Sequence, residues 1–184
     1  EVRDAWPALD PDERLEGFLM IAPEEADDFF LNLAPLGQAQ ILTKLPAGQR
    51  RIWMRLLPPD DAADLLQQVS GQQRAELIEL LDDTTRREVN ALLAYAEDDA
   101  GGLMNPRFAR VRPDMRVDEA IRYLQRQARA KIESIHYVYV IDQSQSLLGV
   151  CSFRELFAAA PDQPVRAVMH PDPITVREDM DQEA

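Results

Sequence analysis

The sequence predicts an α plus α/β chain, in which an N-terminal superhelical bundle of short helices precedes a β-α-β-β-α module and the truncated start of a second one. Turn-forming residues recur at steps of 11 or 12 through the first hundred positions, a β-branched and aromatic run occupies 137–141, and the second half begins to repeat itself. With 184 residues the chain is long enough for one or two domains with buried cores. We expect domains at 1–100 and 101–168, and the start of a further one at 169–184.

Short helices account for the first hundred residues. Between the turn-forming residues lie apolar clusters such as Ile41, Leu42 and Leu45, whose spacings of three and four are typical of helices. Proline is tolerated in the first turn of a helix, and acids such as Asp60, directly after Pro59, are favourable at the positive end of the helix dipole. We expect about seven helices, which must stack on their neighbours because helices this short are marginal alone.

The pattern changes after the glycine pair at 101–102. The sequence predicts a strand at 108–111, a helix at 117–127, a buried strand at 137–141, a turn at 142–146, a returning strand at 147–151 and a helix at 153–159. β-Branched and aromatic residues favour the strands, and the run Asp-Gln-Ser-Gln-Ser favours the turn. The resulting order is β-α-β-β-α.

A second copy of this module starts near residue 169. Six residues recur at a constant offset of 65: Met104, Pro106, Val111, Arg112, Asp114 and Met115 match Met169, Pro171, Val176, Arg177, Asp179 and Met180. This agreement indicates an internal duplication. Because the second copy stops at Ala184, before its helix and hairpin, we expect the sequence to be a piece of a longer chain.

The net charge of −13 belongs almost entirely to the helical half. Residues 1–100 hold 21 acidic and nine basic residues, whereas 101–184 hold 12 and 11. Such a surface repels nucleic acid and anionic lipid, so we expect no nucleic-acid partner and regard cations as the natural one. No apolar run approaches the ~18 residues of a transmembrane helix, no signal peptide begins the sequence, and the lone Cys151 fits a cytosolic location.

No constellation of nucleophile, base and orienting residue stands out, so we expect the chain not to be an enzyme. His136 and His170 lack companions at zinc-binding spacing and are interpreted as ordinary strand-edge and loop residues. Cys151 is interpreted as a small core residue. The glycine pair at 101–102 lacks the Gly-Lys-Ser/Thr of a phosphate-binding loop and is interpreted as a hinge or tight junction.

Two sets of motifs resemble known families. The tandem module, entered by Leu-Met-Asn-Pro at 103–106 and closed by Gly-Val-Cys-Ser-Phe-Arg-Glu-Leu at 149–156, resembles a CBS domain pair. The run Tyr-Ala-Glu-Asp-Asp-Ala-Gly-Gly-Leu-Met-Asn-Pro at 95–106 resembles the cytosolic part of the MgtE family of magnesium transporters and channels. Pro-Asp-Asp-Ala-Ala-Asp-Leu-Leu at 59–66 and Val-Arg-Glu-Asp-Met-Asp-Gln-Glu at 176–183 support this resemblance.

The MgtE resemblance implies a Mg²⁺-sensing regulatory region at the cytoplasmic face of the cell membrane. In that family, Mg²⁺ bridges acidic faces of the N and CBS domains and thereby closes a transmembrane pore, whose segment is absent from this sequence. The resemblance also implies a homodimer through the CBS domains. The metal-contacting positions that it implies are Asp60, Asp64, Asp28, the carbonyl of Gly102, Asp181 and Glu183. At position 28 the family pattern suggests Glu, so Asp28 shortens the reach by one methylene.

The residues themselves allow two interpretations of the acids at 60–64. Mg²⁺ prefers oxygen ligands, and Asp60 and Asp64, four positions apart, would lie on one helix face where their charges repel until a divalent ion bridges them to other acids. Alternatively, Asp60 and Asp61 cap or charge the helix start and Asp64 is a solvated surface acid. The family resemblance favours the metal-binding interpretation.

CBS pairs often bind adenine nucleotides, which makes ATP or a related nucleotide a possible second ligand. The run Ser-Phe-Arg-Glu at 152–155 matches the ribose-binding Ser/Thr-x-x-Asp turn, with Glu155 in place of Asp. Tyr137 could stack on a base and Arg154 could meet a phosphate, although a strand core residue and a surface charge explain them equally well. The alternative function is therefore a soluble CBS-domain adenine-nucleotide sensor or a protein-docking helical repeat.

Overall fold

The computed structural model describes residues 5–96, 98–128 and 134–183. The chain divides into two compact units. The first, called here the helical unit, comprises Glu1–Met104 together with Arg177–Ala184. The second, called here the sheet unit, comprises Asn105–Val176. The predicted boundaries at residues 100 and 168 stay a prediction.

Seven α-helices follow one another in the described part of the helical unit, after a 3₁₀ turn at Trp6–Ala8. They are α1 (Pro11–Leu19), α2 (Pro23–Leu31), α3 (Pro35–Lys44), α4 (Ala47–Leu56), α5 (Pro59–Gln67), α6 (Gly71–Ile78) and α7 (Asp83–Leu92). Each helix begins 12 residues after the one before. The predicted array of short helices is confirmed.

Local chemistry sets where these helices begin. Proline occupies the first turn of α1, α2, α3 and α5, where its missing N–H would lack a partner in any case. The carboxylate of Asp10 accepts from the amides of Asp12 and Glu13 at the start of α1, and these bonds lower its pKa. Asp82 caps α7 in the same way.

Helices two apart in sequence pack on one another. One stack contains α1, α3, α5 and α7, and the other contains α2, α4 and α6. Phe18 and Phe30 meet Trp53 in the core, with ring centroids 4.9 and 5.1 Å from the indole. Other fully buried side chains of this core are Ile41, Leu42, Met54, Leu65, Leu66, Leu77 and Val89. Burial of such faces stabilises helices that would not persist alone.

Arginine side chains close two of the turns between helices. Arg50 donates from Nε to the Leu45 carbonyl and from Nη2 to the Thr43 carbonyl, at 2.7 and 2.9 Å. Arg74, 24 residues later, donates to the carbonyls five and seven residues before it, at 2.9 and 3.3 Å. These bonds satisfy carbonyl groups that a helix end leaves without intrahelical donors.

The described part of the sheet unit contains four strands and two α-helices. They are β1 (Phe108–Val111), α8 (Val117–Ala128), β2 (Ser134–Ile141), β3 (Leu147–Ser152), α9 (Phe153–Ala158) and β4 (His170–Pro171). A 3₁₀ turn at Val165–Ala167 precedes β4. The predicted β-α-β-β-α order is confirmed, with element ends shifted by one to three residues.

The sheet has the order β1-β2-β3-β4, with β1 parallel to β2 and the other pairs antiparallel. Val117, Ala120 and Leu124 form the buried face of α8. Val138, Val140 and Cys151 are buried in the sheet, so the interpretation of Cys151 as a core residue is confirmed. Burial, followed by the charge of Glu155, raises the pKa of Cys151 to about 11.

The start of the second copy differs from the offset of 65. Residues 173–176, the counterparts of β1, have no strand partner among the described residues; residues 170–171 instead pair with β3 as β4. A Cβ at Gly149 would lie 2.5 Å from the His170 carbonyl oxygen, so the close approach of β4 depends on glycine at 149. In the described part of the chain, no helix is long and apolar enough to cross a membrane.

Candidate functional site

Three carboxylates lie near the start of α5. Pro59, Ala62, Ala63, Leu65 and Leu66 anchor this helix in the core. Asp60, Asp61 and Asp64 are half-buried. Burial raises the pKa of Asp61, and the neighbouring charges of Asp60 and Asp64 raise it further. The N-cap position of α5 is Pro58, which makes no side-chain capping bond, so the local structure supplies the acids with a helix dipole but no capping role there.

Asp28 lies on another helix. It is exposed near the end of α2, next to the equally exposed Asp27, and its carbonyl accepts from the Asn32 side chain at 2.7 Å. The predicted helix at 24–33 is α2, which spans Pro23–Leu31.

The glycine pair at 101–102 lies against the last described residues of the chain. The amides of Ala100 and Gly101 donate to the carbonyls of Met180 and Glu178, each at 2.8 Å. A Cβ at Gly102 would lie 2.7 Å from the Ala96 carbonyl oxygen, so this position is restricted to glycine by contact. The interpretation of the pair as a tight junction agrees with this packing.

Asp181 and Glu183 are exposed on the segment that pairs with the junction. Asp181 forms an isolated antiparallel bridge with Asp99, and its side chain accepts from the Glu183 amide at 2.8 Å. Gly102 and Asp181 are thus carried by two paired segments, 79 residues apart in sequence.

All six predicted metal positions belong to the helical unit. They offer only oxygen atoms, the donor type that Mg²⁺ selects. Within the residues that the structure describes, no group of three or more His, Cys, Asp or Glu side chains is arranged to hold a metal ion. The donor chemistry fits Mg²⁺, whereas a closed cage of side chains is not formed by those residues.

The sheet unit contains a cleft of about 510 Å³. It is lined by His136, Tyr137, Ser152, Phe153 and Arg154. Tyr137 is 57% exposed, so this side chain is available at the surface rather than buried in the core. The structure therefore brings together two of the three predicted nucleotide contacts, an aromatic ring and a guanidinium.

Glu155, the third predicted contact, is turned elsewhere. Its carboxylate accepts from the amide and hydroxyl of Ser152, each at 2.8 Å, and contacts Nε2 of His170 at 2.6 Å. The His170 contact and the two bonds from Ser152 lower the pKa of Glu155 to about 2. The pairing with Ser152 is a capping box at the start of α9.

His170 is a residue whose role the sequence did not reveal. It was expected to be an ordinary loop residue, whereas it lies in β4 and binds Glu155. The Ser-x-x-Glu spacing at 152–155 could have predicted the capping box, but a contact across 15 residues has no local pattern.

Comparisons with known proteins agree with this architecture. The family model of the MgtE intracellular N domain matches residues 1–98, and that of the CBS domain matches residues 100–162. The magnesium transporter MgtE of Thermus thermophilus is 40% identical over 181 residues, or 97% of this chain and 40% of the relative. The chain thus spans about two fifths of that relative's length.

Two solved structures have the same fold. The cytosolic domain of the Mg²⁺ channel MgtE in complex with ATP has 39% identity and a TM-score of 0.86, covering 98% of this chain and 73% of that one. The soluble part of a magnesium transporter has 26% identity and a TM-score of 0.72, covering 98% and 76%. The class of protein is therefore one in which an MgtE-type intracellular N domain is joined to a CBS domain. The chain belongs to the MgtE family.

Proposed function

We propose that this chain is the Mg²⁺-sensing regulatory region of a magnesium transporter or channel, at the cytoplasmic face of the membrane. Its partner in the same polypeptide would be a transmembrane pore domain, which closes when Mg²⁺ bridges acidic faces of the N and CBS domains. The observation that carries the proposal is the carboxylate group of α5, where Asp60 and Asp64 raise the pKa of Asp61. These acids repel one another, so an oxygen-binding divalent cation would stabilise the surface they form.

The chain's own groups would divide the work between two places. Asp60 and Asp64 on α5, with Asp28 on α2, form one acidic surface. Asp181, Glu183 and the Gly102 carbonyl, carried by the paired segments at the junction, supply the second set of oxygens. Bound Mg²⁺ would supply positive charge while keeping several of its own waters, as it usually does with one or two carboxylates. At low Mg²⁺ the acidic surfaces repel each other, which favours an open arrangement.

A Mg²⁺ titration of the chain tests this proposal. Amide hydrogen exchange would be followed by mass spectrometry at α5 and at residues 98–102. Replacing Asp60 and Asp64 together by Asn should raise the Mg²⁺ concentration for half-maximal protection by at least about tenfold, because two charged oxygen ligands are lost.

The matched control is Glu16→Gln, which removes one exposed acid of α1. It should leave the midpoint unchanged. No Mg²⁺-dependent protection in the wild-type chain, or an equal shift in the control, would contradict the proposal.

We also propose a homodimer formed through the CBS domains. Large apolar and aromatic side chains remain exposed on the sheet unit: Phe108, Tyr137, Tyr139, Leu147, Leu148 and Phe157. Exposed apolar side chains of this number favour association with another surface. Sedimentation analysis of a chain carrying a complete second copy measures the state directly, and a monomer at all concentrations would refute the dimer.

The cleft favours a second function, the binding of an adenine nucleotide. Tyr137 offers a ring face for a base and Arg154, in the capped first turn of α9, offers a guanidinium for a phosphate. A solved relative with 39% identity is a complex with ATP. Titration calorimetry with ATP should detect binding to the wild-type chain and a loss of about tenfold in affinity for Arg154→Gln.

Arg166→Gln is the matched control, because Arg166 is also exposed in the sheet unit but does not line the cleft. Equal affinities of the wild type and Arg154→Gln would remove Arg154 from the site. Binding of ATP without any response to Mg²⁺ would instead favour the nucleotide-sensor alternative over the gate.

A further inference from the structure

Tyr95 contacts both of the segments that meet at the junction. Its hydroxyl donates to the Glu178 carboxylate at 2.9 Å. That bond, followed by the charge of Glu178, raises the pKa of Tyr95 and keeps the phenol in its donor form. Its ring lies so close to Gly101 that a Cβ there would be 2.5 Å from a ring carbon. One side chain thus holds Glu178 by a hydrogen bond and Gly101 by contact.

The segment at 178–182, called here the strap, makes further bonds to the junction at 98–102. Besides the two amide bonds of Ala100 and Gly101, the Gln182 amide donates to the Asp98 carbonyl at 2.9 Å. The side-chain amide of Gln182 also donates to the Asp98 carboxylate at 2.8 Å. The strap is therefore attached at both ends, by Tyr95 near its start and by Asp98 near its finish.

We propose that Tyr95 is a positioning residue for the Mg²⁺ response, and that with Gly101 it holds the strap on the junction before any metal binds. The inference rests on the proposed function, in which Asp181 and Glu183 of the strap region and the carbonyl of Gly102 supply oxygens. Tyr95 itself is not a ligand. Its effect is to order the segment beforehand, because ordering several residues during binding would consume part of the binding free energy.

The first test uses the metal-free chain. Hydrogen exchange at the amides of Ala100 and Gly101, followed by NMR, should be slow in the wild type, because both are donors to the strap. Tyr95→Phe keeps the ring but removes the bond to Glu178, and should speed this exchange by about fivefold, the factor for one hydrogen bond. The matched control Tyr123→Phe deletes a hydroxyl in the sheet unit and should leave the two amides unchanged.

The second test measures Mg²⁺ binding by the same chains. Tyr95→Phe should raise the Mg²⁺ midpoint for protection at the strap by about three- to tenfold, and Tyr123→Phe should not. Gly101→Ala, which forces the ring aside, should act in the same direction as Tyr95→Phe.

The two proposals fail in different ways. Unprotected Ala100 and Gly101 amides in the metal-free wild type, or an unchanged midpoint in Tyr95→Phe, would overturn the role of Tyr95. A wild-type chain that shows the metal-free protection but no response to Mg²⁺ would overturn the proposed function while leaving the contact itself intact.

Discussion

Glu155 has both carboxylate oxygens engaged, one by the amide and hydroxyl of Ser152 and the other by His170. In the ribose-binding pattern this position is an Asp, one methylene shorter. The Ser-x-x-Glu spacing is also that of a capping box, in which the glutamate reaches back to the N-cap amide. The same four residues therefore satisfy two patterns, and in this structure the capping arrangement is formed. The nucleotide-binding role of Glu155 stays a prediction.

The first prediction concerns the pH dependence of this carboxylate. Because its folded pKa of about 2 is below its ordinary value of 4.5, Glu155 stabilises the fold above pH 4.5, and this contribution is lost as the pH falls toward 2. Glu155→Gln should therefore have a lower melting temperature than the wild type at pH 6, and the difference should shrink below pH 4.5. Calorimetry at a series of pH values measures both.

Glu119→Gln, at an exposed position in the first turn of α8, is the control. A difference between the wild type and Glu155→Gln that stays constant from pH 6 to pH 2 would contradict the linkage.

At the scale of elements, the helical unit shows how far a sequence pattern reaches. Helix starts are local events, set by prolines and by caps such as Asp10 and Asp82, so a 12-residue step in these residues predicts helices at the same step. The stacking of alternate helices was not predicted, because the pattern identifies a buried face without identifying its partner. The carbonyl-capping role of Arg50 and Arg74 was missed for a related reason, since an arginine inside a helix has no distinctive local pattern.

The second prediction tests this arginine device. Arg50→Met keeps an apolar stem but removes the donors to Leu45 and Thr43, and should lower the free energy of unfolding by about 1–2 kcal/mol. Arg51→Met, at an exposed neighbour, should change it by less than about 0.5 kcal/mol. Urea unfolding curves of both variants give these values, and equal losses would show that the carbonyl bonds contribute nothing special.

At the scale of the whole molecule, the charge of −13 acquires a location and a consequence. The six predicted metal positions, which come from three distant parts of the sequence, all belong to the helical unit. The resemblance of motifs identified the family and the fold, whereas the contact of Tyr95 with Glu178, 83 residues away, required the three-dimensional structure. Long-range contacts of this kind join groups that no local pattern relates.

The measurement that tests the central claim most directly is hydrogen exchange of the wild-type chain in MgCl₂, compared with NaCl at the same ionic strength. The comparison matters because monovalent salt also screens repulsion between acids, without bridging them. The account predicts that Mg²⁺ protects α5 and the strap beyond the level reached in NaCl. Identical exchange at both places in the two salts would contradict it.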